Sequence, residues 1–353
     1  MNLFARYSSF IYFKYFLIIF MALVGFYVVI DTLTNLKNLP NSANLQIIYV
    51  CLTALISINY ILPISLVLAL IVTIINLIRS NELVSFYALG VSKNRLIMPI
   101  FTIALIISFA YIGLCFTQFA YVKERQESLE DFQSFERFTN LTFLRFENKF
   151  IYIDKLFGDK QSAKDIRIFD MNGSKIMSQT IAKEANYDDN IWRLKDNIVV
   201  TLPQNIELGS SGFESKNLDE IITLSNFRPR IIENIKNSDN IYSISDAIDS
   251  IKTLKNENIN ISKIKSALYS MLFFPLFAPF MVLILYYYMP LTGRFASLSI
   301  ASFAAILATL CVWGVLFLLI RISLNGAIAA EFGIILPIVL LMLFAGYKVY
   351  KHR

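Results

Sequence analysis

The chain has 353 residues, of which 56% are hydrophobic and only 16% charged, and its mean hydropathy is +0.57. Soluble domains carry about 25% charged residues, so an ordinary soluble enzyme is excluded; disorder, which needs low hydrophobicity and large net charge, is excluded as well. Cys51, Cys115 and Cys311 lie in apolar runs without CxxC or Cys/His spacing, which argues against a disulfide framework or a zinc site. The single histidine is the penultimate residue, His352.

Charge-free runs set out the architecture. They cover residues 15–30, 38–78, 96–122, 266–293, 295–320, 322–330 and 332–347. A span needs about 20 mostly apolar residues, so six are predicted, near 10–31, 48–78, 96–118, 265–289, 297–320 and 331–350. Residues 38–47 hold Asn38, Pro40, Asn41, Ser42 and Asn44 and read as a short external loop. Span one is followed at once by Asp31 and has no Ala-x-Ala site, so it reads as a retained anchor.

Residues 119–265 hold 21 of the 32 basic and 23 of the 26 acidic residues, leaving 11 basic and 3 acidic elsewhere. Nine of those eleven (Arg6, Lys14, Arg79, Lys93, Arg95, Arg294, Lys348, Lys351 and Arg353) share one side of a six-span arrangement; only Lys37 and Arg321 do not. Lys/Arg excess in short loops marks the cytoplasmic side. Both termini are therefore expected inside and the insert outside. The basic balance reflects topology, with no nucleic acid implied.

The insert reads as a β domain, because a structureless connection of its length would be unusual. Thr142–Phe146 and Lys149–Ile153 flank Glu147-Asn148 as a hairpin. Asp165–Asp170 alternates, Asn172-Gly173 offers a turn, and further strands are expected at 175–186, 191–195 and 197–202, with Asp188-Asp189-Asn190 turning before Trp192. Such spacing suggests a sandwich or jelly roll. From Ser243 the period becomes helical: Ile244, Ala247, Ile248, Ile251 and Leu254 share a face, with Ser245 as the expected N-cap. The expected division is 1–118 (spans one to three), 119–242 (β domain), 243–264 (α linker) and 265–353 (spans four to six).

No GxxxxGK[ST], GxSxG or HExxH motif occurs. Any ATP used would be bound by another chain. Between spans two and three runs Leu77-Ile-Arg-Ser-Asn-Glu-Leu-Val-Ser-Phe-Tyr-Ala-Leu-Gly-Val-Ser92. Ser80 is the expected cap of a short helix, with Glu82 in its first turn, Gly90 ending it and Ser92 capping span three. Leu83, Phe86 and Tyr87 could dock in a partner's groove or lie in the lipid interface.

The run from Arg79 to Ser92 (RSNELVSFYALGVS) resembles the "(R)-x-x-E-[LI]-x-x-[ML]-x-A-x-G-[VFL]-[ST]" segment of the LptF/LptG permease family. The resemblance spans essentially the whole chain and implies a polytopic α-helical membrane protein with six transmembrane helices and an external β-jellyroll-like domain inserted between helices 3 and 4. Phe150-Ile-Tyr-Ile153 before Gly158-Asp159, and Trp192-Arg-Leu194 after an acidic turn, resemble the LptG branch; LptF is the alternative. The family implies a non-enzymatic half of an ABC transporter that extracts lipopolysaccharide. Its implied partners are an LptF-like permease, an LptB-like ATPase dimer that uses ATP and Mg, an LptC-like single-span protein and a periplasmic LptA-like bridge. No cofactor is implied on this chain.

By resemblance the helix around Glu82 is the ATPase-coupling helix, with Leu83, Phe86, Tyr87 and Ala88 as docking surface and Gly90 as its conformational stop. Lys37, Lys123 and Arg125, at the external rim, are candidates for anionic head groups; otherwise they are ordinary solvated charges. The family's LptG members place a lysine about three residues before the aspartate ending span one, where this chain has Val28. Phe26, Phe143, Phe146, Ile151 and Ile153 are acyl-path candidates, with packed core as the bland alternative. Arg321 is expected to pair with Glu331. Pro63, Pro275 and Pro279 are expected to kink spans, and Tyr286-Tyr287-Tyr288 reads as an aromatic belt. Two rival classes remain: an anchor that displays the β domain, and an intramembrane enzyme, for which no span carries paired polar groups.

Overall fold

The computed structural model describes residues 3–40, 42–132, 139–146, 149–157, 160–173, 175–203, 212–225, 227, 229, 243–254, 261–290 and 297–352. Six stretches are long and apolar enough to cross a membrane: Phe4–Thr34, Ala43–Arg79, Lys93–Leu114, Ser262–Tyr288, Leu298–Leu324 and Glu331–Lys351. They correspond to α1 (Leu3–Thr34), α2 (Ala43–Arg79), α4 (Lys93–Leu114), α7 with α8 (Ser262–Phe273 and Phe277–Tyr288), α9 (Leu298–Leu324) and α10 (Leu336–Lys351). Between α2 and α4 lies the short α3 (Glu82–Ala88), and after α4 comes α5 (Val122–Phe132). The chain divides into two compact units. One comprises 1–130, 243–247 and 262–353; the other comprises 131–242 and 248–261.

Within the helical unit α2 is the central element. It packs against α1, α8 and α9, and Leu66, Val67, Leu70, Ile74 and Leu77 are fully buried. Sparse polar contacts pin the neighbours, as expected where water cannot serve stray polar groups. The Tyr12 hydroxyl donates to the Leu66 carbonyl at 3.0 Å and Tyr111 to Asn59 Oδ1 at 2.6 Å. The fourth span is broken by a 3₁₀ turn at Phe274–Leu276, where Pro275 lacks the N–H that a continuous helix needs. Pro63 lies inside α2, which runs unbroken through it. Before α10 a π-helical turn at Glu331–Ile335 carries Gly333. A Cβ there would sit 3.1 Å from Ser323 Cβ and 3.3 Å from the Leu319 carbonyl, tighter than ordinary van der Waals contact, so glycine lets this turn approach α9 without displacing it.

Several expectations shift. The second span begins at Ala43, so helix takes over part of the expected 38–47 loop. Ser243, not Ser245, caps the linker helix α6 (Ile244–Leu254), its Oγ accepting from the Asp246 amide at 3.1 Å. Arg321 makes no ion pair with Glu331 among the described residues; its guanidinium lies over the Phe317 ring, 5.1 Å from the centroid. The amphipathic α5 is an element that hydropathy does not reveal, because it is strongly charged. Val122 and Leu129 bury against Tyr49, Leu52 and Ile56 of α2, which moves the unit boundary to 130/131.

In the inserted unit six strands form one antiparallel sheet in sequential order: β1 (Thr139–Phe146), β2 (Lys149–Phe157), β3 (Ser162–Asn172), β4 (Lys175–Asp188), β5 (Ile191–Thr201) and β6 (Glu214–Thr223). The described strands are thus an up-and-down meander, without the crossover connections of a jelly roll or the second sheet of a sandwich. The β1–β2 hairpin has the expected register, Phe146 opposite Lys149. Asp189 and Asn190 both adopt positive φ between Asp188 and Ile191, the tight-hairpin geometry that Asx residues tolerate. Residues 191–202 do not split into two strands; β5 runs through Asp196, which takes φ +53° while the register to β4 and β6 is the same on either side of it. The sheet coils diagonally. Lys149 Nζ, at the start of β2, reaches Thr223 Oγ1 at the end of β6 (3.3 Å), and the Phe146 and Phe227 rings meet at 4.2 Å. Trp192 is fully enclosed, its indole N–H donating to the Phe227 carbonyl at 2.6 Å.

Candidate functional site

The short helix α3 sits at the end of the bundle that carries both chain ends. Its entry is not the serine cap expected: Ser80 ends α2, its Oγ bonding back to the Asn76 carbonyl at 3.0 Å. Asn81 precedes α3 with φ +60°, a conformation that asparagine tolerates. The exit is as expected. Gly90 has φ +80°, its amide bonds to the Tyr87 carbonyl, and the Val91 amide to the Phe86 carbonyl, both at 3.0 Å. That is a Schellman stop, which glycine permits without strain. Ser92 Oγ then accepts from the Arg95 amide at 3.3 Å and caps α4.

The helix presents two unlike faces. Leu83 is only 2% exposed, folded in toward α2. Phe86 meets the Tyr7 ring of α1 edge-on at 6.4 Å. The Tyr87 hydroxyl lies 2.8 Å from the Tyr286 hydroxyl of α8, and burial pushes the Tyr87 phenol up from its ordinary value. Leu83 is therefore covered by the chain itself, and Tyr87 is half-buried and engaged within the bundle. The outward face consists of Val84, Ser85, Ala88 and Leu89, the last 80% exposed. The sequence gives Val84, Ser85 and Leu89 no signal of their own, because the larger side chains lie on the opposite stripe. Nothing in the local sequence points to Tyr7 or Tyr286, far away along the chain.

Glu82 is half-buried beside the Tyr7 hydroxyl. Its Oε2 is buried without a hydrogen-bond partner. With Phe4, Arg6, Phe10, Phe86 and Arg95 it lines a cavity of about 1160 Å³, in which neither arginine forms an ion pair with it. The Tyr7 hydroxyl is hydrogen-bonded to this carboxylate, and Oε2 is the atom left for a further donor to pair.

The remaining candidates separate. Lys37 is exposed in a 3₁₀ turn at Leu36–Asn38. Lys123 pairs with Glu127 at 3.2 Å, and Arg125 donates to Gln118 Oε1 at 2.6 Å. Phe26 lines an almost wholly apolar cavity of about 360 Å³ with Leu23, Tyr27, Ile64, Ile306 and Leu310, among α1, α2 and α9. In the inserted unit Phe146, Ile151 and Ile153 are packed in the core, with Ile151 fully buried. Phe143 is 62% exposed and stacks on Phe150 at 5.5 Å. Of the four acyl-path candidates in the inserted unit, Phe143 is on the surface and the other three are in the core. Cys51, Cys115 and Cys311 are free thiols.

The model of one protein family, described as "Lipopolysaccharide export system permease LptF/LptG", matches residues 6–351. No curated protein matches the chain.

Proposed function

This chain belongs to the LptF/LptG family of lipopolysaccharide-export permeases, and from that premise we propose that it is the LptG-type subunit of the export transporter. As a family member it is a multi-pass inner-membrane transport subunit of the export system and not itself a catalytic enzyme. In the proposed complex it pairs with an LptF-like permease and an LptC-like single-span protein. An LptB-like ATPase dimer binds ATP and Mg on its behalf, this chain holding no cofactor. Lipopolysaccharide passes from the inner membrane toward an LptA-like bridge. The β domain faces the periplasm and both termini the cytoplasm, supported by the nine basic residues that share the termini's side. LptF remains the alternative identity within the family.

The observation that carries the coupling role is α3 itself. It offers an outward strip at Val84, Ser85, Ala88 and Leu89, and at its edge a carboxylate oxygen, Glu82 Oε2, that lacks a partner. A basic side chain of the ATPase would complete that oxygen as a charge-assisted pair. Pocket closure by the ATPase would then be felt by the spans as rigid-body movement. Phe26 and its cavity would take acyl chain, and Lys37 head-group phosphate, at the opposite side.

The test is mild-detergent purification of the tagged chain, with mass spectrometry of bound proteins and lipid. We expect an ABC ATPase, a second six-span permease and lipopolysaccharide; Glu82→Arg should strip off the ATPase and arrest growth. An eluate without partners, reproduced after crosslinking in cells, would instead favour an anchor displaying a β domain.

A further inference from the structure

The fourth span ends in three consecutive tyrosines, and each is committed to a different element. Tyr286, buried, places its hydroxyl 2.8 Å from that of Tyr87 on α3. Tyr287 donates to Asn94 Oδ1 of α4 at 2.6 Å and stacks on His352 beyond α10, with centroids 4.7 Å apart. Asn94 in turn donates through Nδ2 to the Val349 carbonyl at 2.9 Å. Lys348 Nζ of α10 lies 4.0 Å from the Tyr288 ring centroid. Successive helical residues are turned by about 100°, so three in a row sweep most of one helix face. An aromatic belt would need only the lipid interface; these rings have specific protein partners.

We infer that Tyr87 and Tyr286 are positioning residues of the coupling step: their hydroxyl pair hands displacement of α3 to the second half of the bundle through α8. This rests on the reading of α3 as the ATPase-coupling helix and deepens it by naming the link. The physical reason is the directionality of the contact. Leu83 is an apolar contact that slides at little loss, and Phe86 meets Tyr7 only edge-on. Tyr286 is buried and Tyr87 half-buried, so separating the pair leaves the Tyr286 hydroxyl unpaired away from water. A shift of α3 therefore drags Tyr286, and Tyr287 and Tyr288 carry the same shift to α4 and α10. Packed elements of this kind respond as rigid units rather than by graded deformation.

The experiment uses the complete complex with its ATPase, comparing Tyr87→Phe, Tyr286→Phe and the double variant. Phenylalanine keeps the ring and removes only the hydroxyl. ATPase copurification should stay within about twofold of the parent, because the docking face is untouched. Lipopolysaccharide released per ATP hydrolysed should fall about fivefold in each single variant and no further in the double, the signature of one shared interaction. Singles that release lipid normally, or losses that multiply in the double, would overturn the proposal. Loss of the ATPase from the Phe variants would also overturn it, by making the pair a docking feature. Should the unmodified chain itself capture no ATPase, the coupling reading fails first, and this inference fails with it.

Discussion

Ile151 provides a direct test of whether the interior of the β domain is packed core or lipid path. It is fully buried on β2, opposite Leu144 and Ile168, inside a cluster that includes Ile153, Ile166, Leu194 and Trp192. Truncation to alanine removes three carbons, worth about 2.4 kcal/mol at ~0.8 kcal/mol each, and the cavity left behind raises the loss to about 3–4 kcal/mol. Ile151→Val, which removes one carbon, should cost about 1 kcal/mol. The chain has two tryptophans, so in a Trp313→Phe background the emission of enclosed Trp192 reports on the β domain alone. With a urea slope of about 2 kcal/mol per molar, Ile151→Ala should lower the unfolding midpoint by roughly 1.5–2 M. Phe143→Ala, on an exposed ring, should change stability by no more than about 0.5 kcal/mol. An unmoved midpoint for Ile151→Ala, together with lost photocrosslinking of lipid to the domain, would refute the packed-core assignment.

Further outcomes are expected elsewhere in the molecule. Gly90→Val, forced into positive φ, should disfavour the α3 stop by about 1–2 kcal/mol and weaken ATPase capture, whereas Gly90→Asn should retain most of it; both are read by pull-down. Gly333→Leu should disrupt the π-helical turn against Ser323 and lower the detergent melting temperature, while Gly25→Ala, with open space around its Cβ, should not. Tyr49→Phe removes a hydroxyl lying 3.0 Å from Glu130 Oε1 and 3.3 Å from Asp31 Oδ2; a loss of about 1–3 kcal/mol is expected, measured by thermal aggregation in detergent. In a cysteine-free background, a cysteine at Lys195 should react with a membrane-impermeant thiol reagent in cells whose outer membrane is permeabilised. A cysteine at Lys348 should react only once the inner membrane is opened; the reverse pattern would invert the proposed topology.

The six spans were legible from the sequence because bilayer thickness imposes a length and a composition that the gaps between charges expose. Hairpin turns and the helix stop were equally legible, since positive φ selects Asx and glycine locally: Asp189, Asn190 and Gly173 adopt it in hairpins and Gly90 at the end of α3. Strand β6 was not, because nearly all of it is exposed and polar, and an exposed strand needs no apolar alternation. Helix α5 escaped for the same reason. The orientation of α3 lay further out of reach. Its sequence offers two stripes, one with Leu83, Phe86 and Tyr87 and one with Val84, Ala88 and Leu89, and hydrophobicity alone favours the first as the docking face. Tertiary packing engages that stripe from within: Tyr286, 199 residues from Tyr87, and Tyr7 of α1 contact it, and the second stripe is the exposed one. The sequence determined what the lipid and the backbone require of each segment by itself; which face each segment keeps free was decided only when distant spans competed to bury the other.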